Sequence, residues 1–402
     1  MAFAQCGAQA LDSAATRRKC GSGAVVSHGV RARAGCRSLG IPRNARLVSR
    51  RLVRMSGELP ETYKAAVTEG NGADYVFKQV PMPSPGKGEI LMKVHVTGVC
   101  HTDLHAKDGD WPVPPKKPLT GGHEGAGEVV AVGDGVTSLK IGDRVGIVWL
   151  YSACGECEHC IKGNETVCEK QQNGGYSKDG SFQEYCIADA KYAARIPDGV
   201  SYADAAPILC AGVTTYKALK ESEVKAGEYV TIVGAGGGLG HLAVQYAKAM
   251  GMNVIAIDGG EEKGAMCKKL GAAHYVDFLT TPNTVDEVLK ITGGKGSEGV
   301  LCLATSNKVF NDCVQMSKRY GCVVLVSLPP GNFSIPIFPV VLKRITVRGS
   351  IVGTRQDLAE CLEFCAQGKV KPIYRTQHLD DLNDVFAEMK EGKVAGRIVL
   401  EL

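Results

Sequence analysis

The chain has 402 residues, of which 44% are hydrophobic and 22% are charged, with a formal net charge of +5. At roughly 150 residues per domain this length favours two domains, and the hydrophobic share excludes wholesale disorder. No apolar run approaches the ~18 residues that a membrane helix needs, so we expect no membrane-spanning protein.

The positive charge lies in a leader, residues 1–57, which holds eleven basic side chains against one acid, Asp12. The rest of the chain has 36 basic and 41 acidic residues, a net charge of −5, so we expect no nucleic-acid partner. The leader is rich in Arg, Ala, Ser and Gly and has no continuous apolar centre. This is typical of a transit peptide of a mitochondrial or plastid protein. The alternative is a basic tail on a cytoplasmic protein, and Met55 offers a second start without the leader.

Residues 62–211 alternate short Val-rich runs with Gly, Pro and Asp turns. The strongest runs are Ile90 to Val96, Gly127 to Val132 and Arg144 to Trp149. This texture predicts an antiparallel β-rich domain with long functional loops, which we place at residues 58–211.

Four cysteines in this domain lie within fifteen residues of one another: Cys154, Cys157, Cys160 and Cys168. Paired two-residue gaps let neighbouring thiolates close on one tetrahedral ion, and four sulfurs leave no open position on it. The spacing therefore predicts a structural zinc site, whereas the alternative is a set of free buried cysteines. A disulfide framework is disfavoured, because the thirteen cysteines beyond the leader are odd in number.

Cys100, His123 and Cys210 lie far apart in the sequence but supply two thiolates and one imidazole. This donor set holds a catalytic zinc while leaving its fourth position open to a substrate oxygen. Each residue taken singly is more typical of a structural role, and spacing alone does not decide whether the three meet.

Residues 212–350 change to alternating strands and helices, which predicts a parallel sheet with right-handed crossovers. The predicted elements are the strand Tyr229 to Val233, the helix Leu239 to Met250, and strands at Asn253 to Ile257, Gly299 to Leu303 and Cys322 to Ser327. Residues 351–402 return to a mixed texture and end in a strand-like run from Arg397 to Leu402.

A glycine-rich turn follows the first parallel strand and predicts a dinucleotide site, because the backbone there can approach a pyrophosphate at a helix N-terminus. It consists of Gly234, Ala235, Gly236, Gly237, Gly238, Leu239 and Gly240, one residue more than the usual G-x-G-x-x-G. Asp258 ends the second strand, 24 residues after Gly234. A carboxylate there accepts the ribose hydroxyls and favours NAD over NADP; the alternative is a solvated turn residue.

Five stretches together are similar to the zinc-dependent alcohol dehydrogenases of the medium-chain dehydrogenase/reductase superfamily. They are Gly98-Val-Cys-His-Thr-Asp-Leu-His105, Gly121-Gly-His-Glu-Gly-Ala-Gly127, the Cys154 to Cys168 cluster, Pro207-Ile-Leu-Cys-Ala-Gly212 and Ala243-Val-Gln-Tyr-Ala-Lys-Ala-Met-Gly251. The resemblance runs from about residue 60 to 402 and is strongest to the yeast and bacterial NAD-dependent branch, which prefers ethanol or propanol.

The resemblance implies an α/β fold with a GroES-like β-rich catalytic domain (residues 58–211 and 351–402) and a Rossmann doubly wound parallel-sheet domain (residues 212–350). It implies two Zn²⁺ per subunit, NAD and a homotetramer. Cys100, His123 and Cys210 would ligate the catalytic zinc, and Glu124 would exchange with water on it. Further cofactor contacts would come from His101, Lys263, Val326, Ser327, Leu328 and Arg397, and the alcohol pocket would be narrowed by Trp111, Trp149 and Leu328.

The implied chemistry is oxidation of short primary alcohols to aldehydes, and the reverse, by hydride transfer to NAD beside a zinc Lewis acid. Thr102 would take the hydroxyl proton. We expect the outer end of the proton relay six residues after Thr102, where this chain has Asp108 instead of a histidine, and His105 is the alternative. An unperturbed Asp, with a pKa of ~3.9, remains a base at neutral pH.

Two other functions compete with this one. A zinc-dependent reductase of larger, cinnamyl-type aldehydes is usually NADP-linked, which Asp258 disfavours. A nucleic-acid-binding zinc ribbon built on the Cys154 to Cys168 segment is disfavoured by the acidic body and by the complete Cys100, His123 and Cys210 set.

Overall fold

A computed structural model describes residues 53–54, 59–304, 306–329, 332–392, 394 and 396–402. The predicted leader lies outside these residues except for Val53–Arg54, which pair with Val132 and Ala131. Two residues that we assigned to the leader thus form a short strand on the antiparallel sheet. No helix in the described part of the chain is both long enough and apolar enough to span a membrane.

The β-rich half is organised around an eight-stranded sheet. Six strands follow the spatial order Ala194–Arg195, Arg144–Ile147, Gly125–Val132, Glu89–Val99, Arg397–Glu401 and Tyr374–His378, while Val53–Arg54 joins Gly125–Val132 and Tyr185–Asp189 joins Glu89–Val99. All pairs are antiparallel except Tyr374–His378 with Arg397–Glu401. Two small antiparallel sheets are Thr62–Val67 with Val76–Pro81 and Leu150–Ser152 with Gln172–Asn173. Because Arg397–Glu401 pairs with Glu89–Val99, the end of the chain is built into this half.

The other half contains a six-stranded sheet in which every pair is parallel. Its spatial order is His274–Asp277, Asn253–Asp258, Tyr229–Val233, Ser297–Cys302, Ser317–Leu325 and Thr346–Gly349. In chain order this reads 3-2-1-4-5-6, the doubly wound arrangement whose ligand crevice opens where the strand order reverses. That reversal lies at Tyr229–Val233, directly before the glycine turn.

Helices connect these strands. The α-helices are His101–Asp108, Glu158–Ile161, Tyr202–Pro207, Val213–Glu221, Gly240–Ala249, Glu261–Lys269, Thr284–Ile291, Asn307–Met316, Ile337–Lys343, Arg355–Ala366 and Leu382–Lys390. Two 3₁₀ turns cover Glu165–Val167 and Leu379–Asp381, and a π-helical turn covers Ile208–Gly212.

The largest apolar core joins the two halves. Val96 and Val399 from the antiparallel sheet share one cluster with Val230 and Leu242 from the parallel half, and Leu209 lies between them. Burial of this shared apolar surface, worth about 25 cal/mol per Å², holds the catalytic and nucleotide halves against each other.

Candidate active site

Four side chains that are distant in sequence meet in one buried cluster. The ligand atoms of Cys100, His123, Glu124 and Cys210 all lie within 4.8 Å of one another. The cluster forms because Cys100 precedes helix His101–Asp108, His123 and Glu124 precede strand Gly125–Val132, and Cys210 lies in the π-helical turn. A π-turn is a rare geometry that is frequent at functional sites.

The donor groups of this cluster interact directly with one another. The hydrogen bond from Cys210 lowers the pKa of the Cys100 thiol, against the effect of burial, and the same interaction raises the pKa of Cys210. His123 Nε2 lies 3.2 Å from Cys210 Sγ. Two thiols and an imidazole at these separations match the donor set and spacing of a tetrahedral zinc site, in which the ion favours both thiolates.

Asp103 orients the ligand residues and was not predicted from the sequence. Its carboxylate accepts hydrogen bonds from the backbone N–H of Cys100 (3.0 Å) and of Gly122 (3.2 Å), and it lies 2.8 Å from His123 Nδ1. Burial disfavours the charged imidazole, but the Asp103 carboxylate overcomes this and raises the pKa of His123. The pairing leaves Nε2 of His123 directed at the cluster, the arrangement typical of metal-ligating histidines.

Glu124 links the cluster to Arg397. One carboxylate oxygen is bonded to the Arg397 guanidinium, and both side chains are buried. Burial raises the pKa of Glu124, and Arg397 opposes that rise. The other oxygen, Oε2, has no hydrogen-bond partner among the described residues. A Cβ at Gly98 would clash with it, so Gly98 makes room for the carboxylate beside the ligand cluster.

The four cysteines of the predicted structural site also converge. The ligand sulfurs of Cys154, Cys157, Cys160 and Cys168 lie within 4.8 Å of one another. Cys154 Sγ is 3.6 Å from Cys168 Sγ and 3.9 Å from Cys160 Sγ. Four sulfurs at ~2.3 Å from a tetrahedral Zn²⁺ would be about 3.8 Å apart, whereas a disulfide needs ~2.05 Å. The sulfurs therefore fit a closed zinc site.

The glycine turn has the shape of a phosphate cradle. Gly234 has φ +86°, and its N–H and that of Ala235 donate to Ile257 O at 2.9 and 3.1 Å. A Cβ at Gly236 would lie 2.8 Å from Lys263 Cβ, and one at Gly238 would lie 3.1 Å from Arg397 Cδ. The bare backbone therefore fits a group that must approach closely, and Lys263 and Arg397 are the cations beside it.

Asp258 lines a cavity of about 630 Å³ together with Gly234 and Asn283. Its carboxylate accepts from Gly236 N (2.8 Å) and from Lys263 Nζ (2.9 Å). These bonds hold a buried carboxylate at the end of strand Asn253–Asp258, where an adenosine ribose is bound in this type of fold.

An aromatic wall stands beside His123. The Trp149 ring centroid is 5.6 Å from that of His123, 6.1 Å from that of Trp111 and 5.4 Å from that of Tyr176. Tyr176 was missed because an isolated tyrosine in a loop carries no sequence signal. Leu328 is 60% exposed and lines a cavity with Val326 and Ser327. Neither Trp111 nor Trp149 lines that cavity.

Asp108 does not reach the side of the helix that carries Thr102. Six residues correspond to about 9 Å of rise and about 240° of rotation, and the Asp108 carboxylate is bonded to Lys390 at 2.9 Å. These contacts give Asp108 a different partner and favour His105, while the relay role of Asp108 stays a prediction. His105 lies three residues after Thr102, on the same face, with Nδ1 2.9 Å from Asp110 and its ring stacked on Trp111 at 5.1 Å.

Comparison with protein families gives two matches along the chain. Residues 86–198 match the alcohol dehydrogenase GroES-like domain, and residues 238–367 match a zinc-binding dehydrogenase domain. An alcohol dehydrogenase from Geobacillus stearothermophilus is 52% identical over 339 residues, which cover 84% of this chain and 99% of that protein. The chain belongs to the zinc-dependent alcohol dehydrogenases of the medium-chain superfamily. An alcohol dehydrogenase from Schizosaccharomyces pombe is 50% identical over 86% of this dehydrogenase.

Solved structures share the fold of this dehydrogenase. The alcohol dehydrogenase of the archaeon Aeropyrum pernix superposes with a TM-score of 0.77 at 33% identity, covering 84% of this chain and all of that one. Acetophenone reductase from Geotrichum candidum, solved in complex with NAD, gives 0.76 at 31% identity, covering 86% and 99%. The predicted α/β fold with a GroES-like and a Rossmann domain is confirmed, as are zinc and NAD as the cofactors of the family.

Replacing Asp103 with asparagine tests the orienting contact. The amide in Asp103→Asn retains the size of the carboxylate but loses the charge that holds His123, so we expect catalytic-site zinc affinity to fall by about 10- to 100-fold. The measurement is zinc retained against a graded chelator. Asp110→Asn, which changes an exposed carboxylate just beyond the end of the same helix, is the control. Equal zinc retention in the Asp103 variant and the parent would contradict the assignment.

Proposed function

We propose that this dehydrogenase oxidises short-chain primary alcohols to aldehydes, and reduces aldehydes in reverse, with NAD as the hydride carrier. The observation that carries the proposal is the buried Cys100, His123 and Cys210 cluster, connected through Glu124 and Arg397 to the glycine turn. The curated relatives at about 50% identity are named alcohol dehydrogenases. A cinnamyl alcohol dehydrogenase from sorghum is 26% identical, so the larger-aldehyde alternative has weaker support.

We infer two zinc sites in each chain, one at Cys100, His123 and Cys210 and one at the four cysteines. Bound zinc supplies a Lewis acid that lowers the pKa of a hydroxyl from ~16 towards ~7. The residues of the chain orient the ligands and exclude water: Asp103 orients His123, and the cluster is buried away from bulk water. The closed four-sulfur site leaves no position for substrate and serves stability.

The nicotinamide cofactor would lie along the crevice between the two halves. Asp258 would accept the ribose hydroxyls, Arg397 and His101 would face the pyrophosphate, and residues 326–328 would flank the nicotinamide. Orientation of the two reactants is the main contribution of such a cleft, because a near-attack geometry removes much of the entropic barrier.

Protons would leave through Thr102 and His105. These side chains lie three residues apart on one helix face, and the His105 ring is 26% exposed, so it can pass a proton from the buried cluster to solvent. Asp110 holds the imidazole from the outer side. The pocket beside it is narrowed by Trp149 and Trp111, which favours small alcohols.

The proposal also covers the role of the basic leader, residues 1–57, and the oligomeric state of the enzyme. The matches to two bacterial relatives span about 340 residues and 99% of those proteins, and leave about 15% of this chain unmatched. We infer that residues 1–57 direct the protein to a mitochondrion or plastid, and that the enzyme is a homotetramer. A fluorescent reporter fused to residues 1–57 that remained cytoplasmic would overturn the first inference, and light scattering tests the second.

Steady-state kinetics with alcohols from ethanol to cinnamyl alcohol, using NAD and NADP, test the function. We expect the highest kcat/KM for short primary alcohols with NAD. In Asp258→Ser the ribose hydroxyls lose their acceptor, so KM for NAD rises about tenfold, or ~1.4 kcal/mol. NADP turnover improves because the repulsion of a 2′-phosphate disappears while Lys263 remains. Preference for cinnamyl alcohol with NADP in the parent enzyme would contradict the proposal.

A pair of variants on one helix tests the proton path. His105→Gln removes a group that can exchange protons, so kcat at neutral pH falls by roughly tenfold or more. Asp108→Asn breaks only the surface pair with Lys390 and leaves kcat within about twofold, with a stability change of ~1 kcal/mol or less. Rapid-mixing measurement of the rate of NADH formation compares the two variants with the parent enzyme. A larger loss in Asp108→Asn than in His105→Gln would restore Asp108 to the relay.

A further inference from the structure

His241 is a fully buried polar side chain that the proposed chemistry does not use. It is the second residue of helix Gly240–Ala249, immediately after the glycine turn, and it has no exposed surface. A buried imidazole without partners would be costly, so its hydrogen bonds indicate what it is for.

Both ring nitrogens of His241 are bonded to backbone from opposite sides. Nε2 lies 3.0 Å from the N–H of Ile373, so it must accept that hydrogen bond. The proton therefore sits on Nδ1, which is 3.1 Å from Gly237 O and donates to it. One imidazole thus joins the glycine turn to the segment that enters strand Tyr374–His378.

Gln245, one turn later on the same helix face, grips the same segment. Its Nε2 donates to Lys371 O at 3.0 Å, and its Oε1 accepts from Lys371 N at 2.9 Å. With the bond from His241 to Ile373, three hydrogen bonds fasten residues 371–373 to the first helix of the parallel half.

The fastened segment carries Arg397. Ile373 O accepts the backbone N–H of Arg397 at 2.9 Å, and Tyr374 is paired with Arg397 in the parallel register. The Arg397 side chain lies against Gly238 and is bonded to Glu124. A continuous path of hydrogen bonds therefore runs from Gly237 through His241, Ile373 and Arg397 to the metal-ligating cluster.

We propose that His241 and Gln245 are positioning residues for the cofactor: by holding residues 371–373 they set Arg397 between the pyrophosphate turn and Glu124. The inference rests on the proposed binding of NAD. It requires a neutral imidazole, since a protonated Nε2 would face the N–H of Ile373. Burial, assisted by the charge of Arg397, lowers the pKa of His241 to about 4, although the hydrogen bond to Gly237 O opposes this shift.

Two substitutions of His241 separate its two bonds. In His241→Gln the amide oxygen replaces Nε2 and can still accept from Ile373, whereas His241→Asn places its amide near Nδ1 and abandons Ile373. We expect His241→Asn to raise the Kd for NADH and the KM for NAD by roughly five- to tenfold. KM for alcohol should change by less than about twofold, and His241→Gln should restore most of the NADH affinity. NADH fluorescence titration gives the Kd without turnover.

Gln245→Met and Tyr246→Phe complete the test. Gln245→Met keeps the side-chain volume but loses both bonds to Lys371, so it should weaken NADH binding as His241→Asn does. Tyr246 lies on the same helix as His241 and Gln245, and its hydroxyl donates a buried hydrogen bond to Cys361 O. Tyr246→Phe removes this bond without changing a contact to residues 371–373. It should therefore lower the melting temperature but leave the NADH affinity unchanged.

Each remaining outcome decides the matter. If His241→Asn and Gln245→Met bind NADH like the parent, or if His241→Gln is as impaired as His241→Asn, the positioning role is refuted. If the parent itself does not bind NADH, the proposed function fails instead.

Discussion

The architecture of this dehydrogenase depends on one electrostatic constraint: two buried cysteines whose sulfurs meet beside a buried imidazole can both ionise only next to a cation. Cys100, His123 and Cys210 are each less than a tenth exposed, and their donor atoms lie within one ion's coordination sphere. Thiolates without a counter-ion would be expensive in this interior. Three segments bring these groups to one point: the loop before Gly125, the first turn of helix His101–Asp108 and the π-turn at Cys210.

Carboxylates around this point carry out separate tasks. Asp103 fastens the start of the helix and the Gly122 loop, so that His123 enters the cluster in one orientation. Glu124 lies in the cluster and is also bonded to Arg397, whose side chain lies beside the glycine turn. The metal cluster and the nucleotide cradle are thus parts of one charged network rather than two independent sites.

Local patterns predicted much of this molecule. Tyr229 to Val233 is the observed strand, because the run is rich in β-branched residues, ends at glycines and is too short for a helix. The convergence of the four cysteines follows from their spacing. The predicted strand from Arg144 to Trp149 ends at Ile147, because Trp149 leaves the sheet to pack on His123.

Tertiary roles could not be predicted in the same way. Asp103, Tyr176 and His241 act through groups far away in the sequence, to which no local pattern points. The relay role predicted for Asp108 rests on a count of six residues, which ignores the angle by which a helix turns, and the contacts of the helix favour His105 instead. Membership of the family supplied the joint role of Cys100, His123 and Cys210, which spacing had left open.

Metal analysis of the purified full-length protein and of its Cys210→Ala and Cys168→Ala variants shows most directly whether Cys100, His123 and Cys210 hold a zinc of their own. We expect about two Zn²⁺ per chain in the parent. Cys210→Ala should retain the structural ion, remain folded and lose alcohol oxidation, whereas Cys168→Ala should lose the structural ion and stability. A parent with a single zinc held by the four cysteines would contradict the assignment of Cys100, His123 and Cys210 as zinc ligands. A Cys210→Ala variant with both ions and undiminished turnover would contradict it as well.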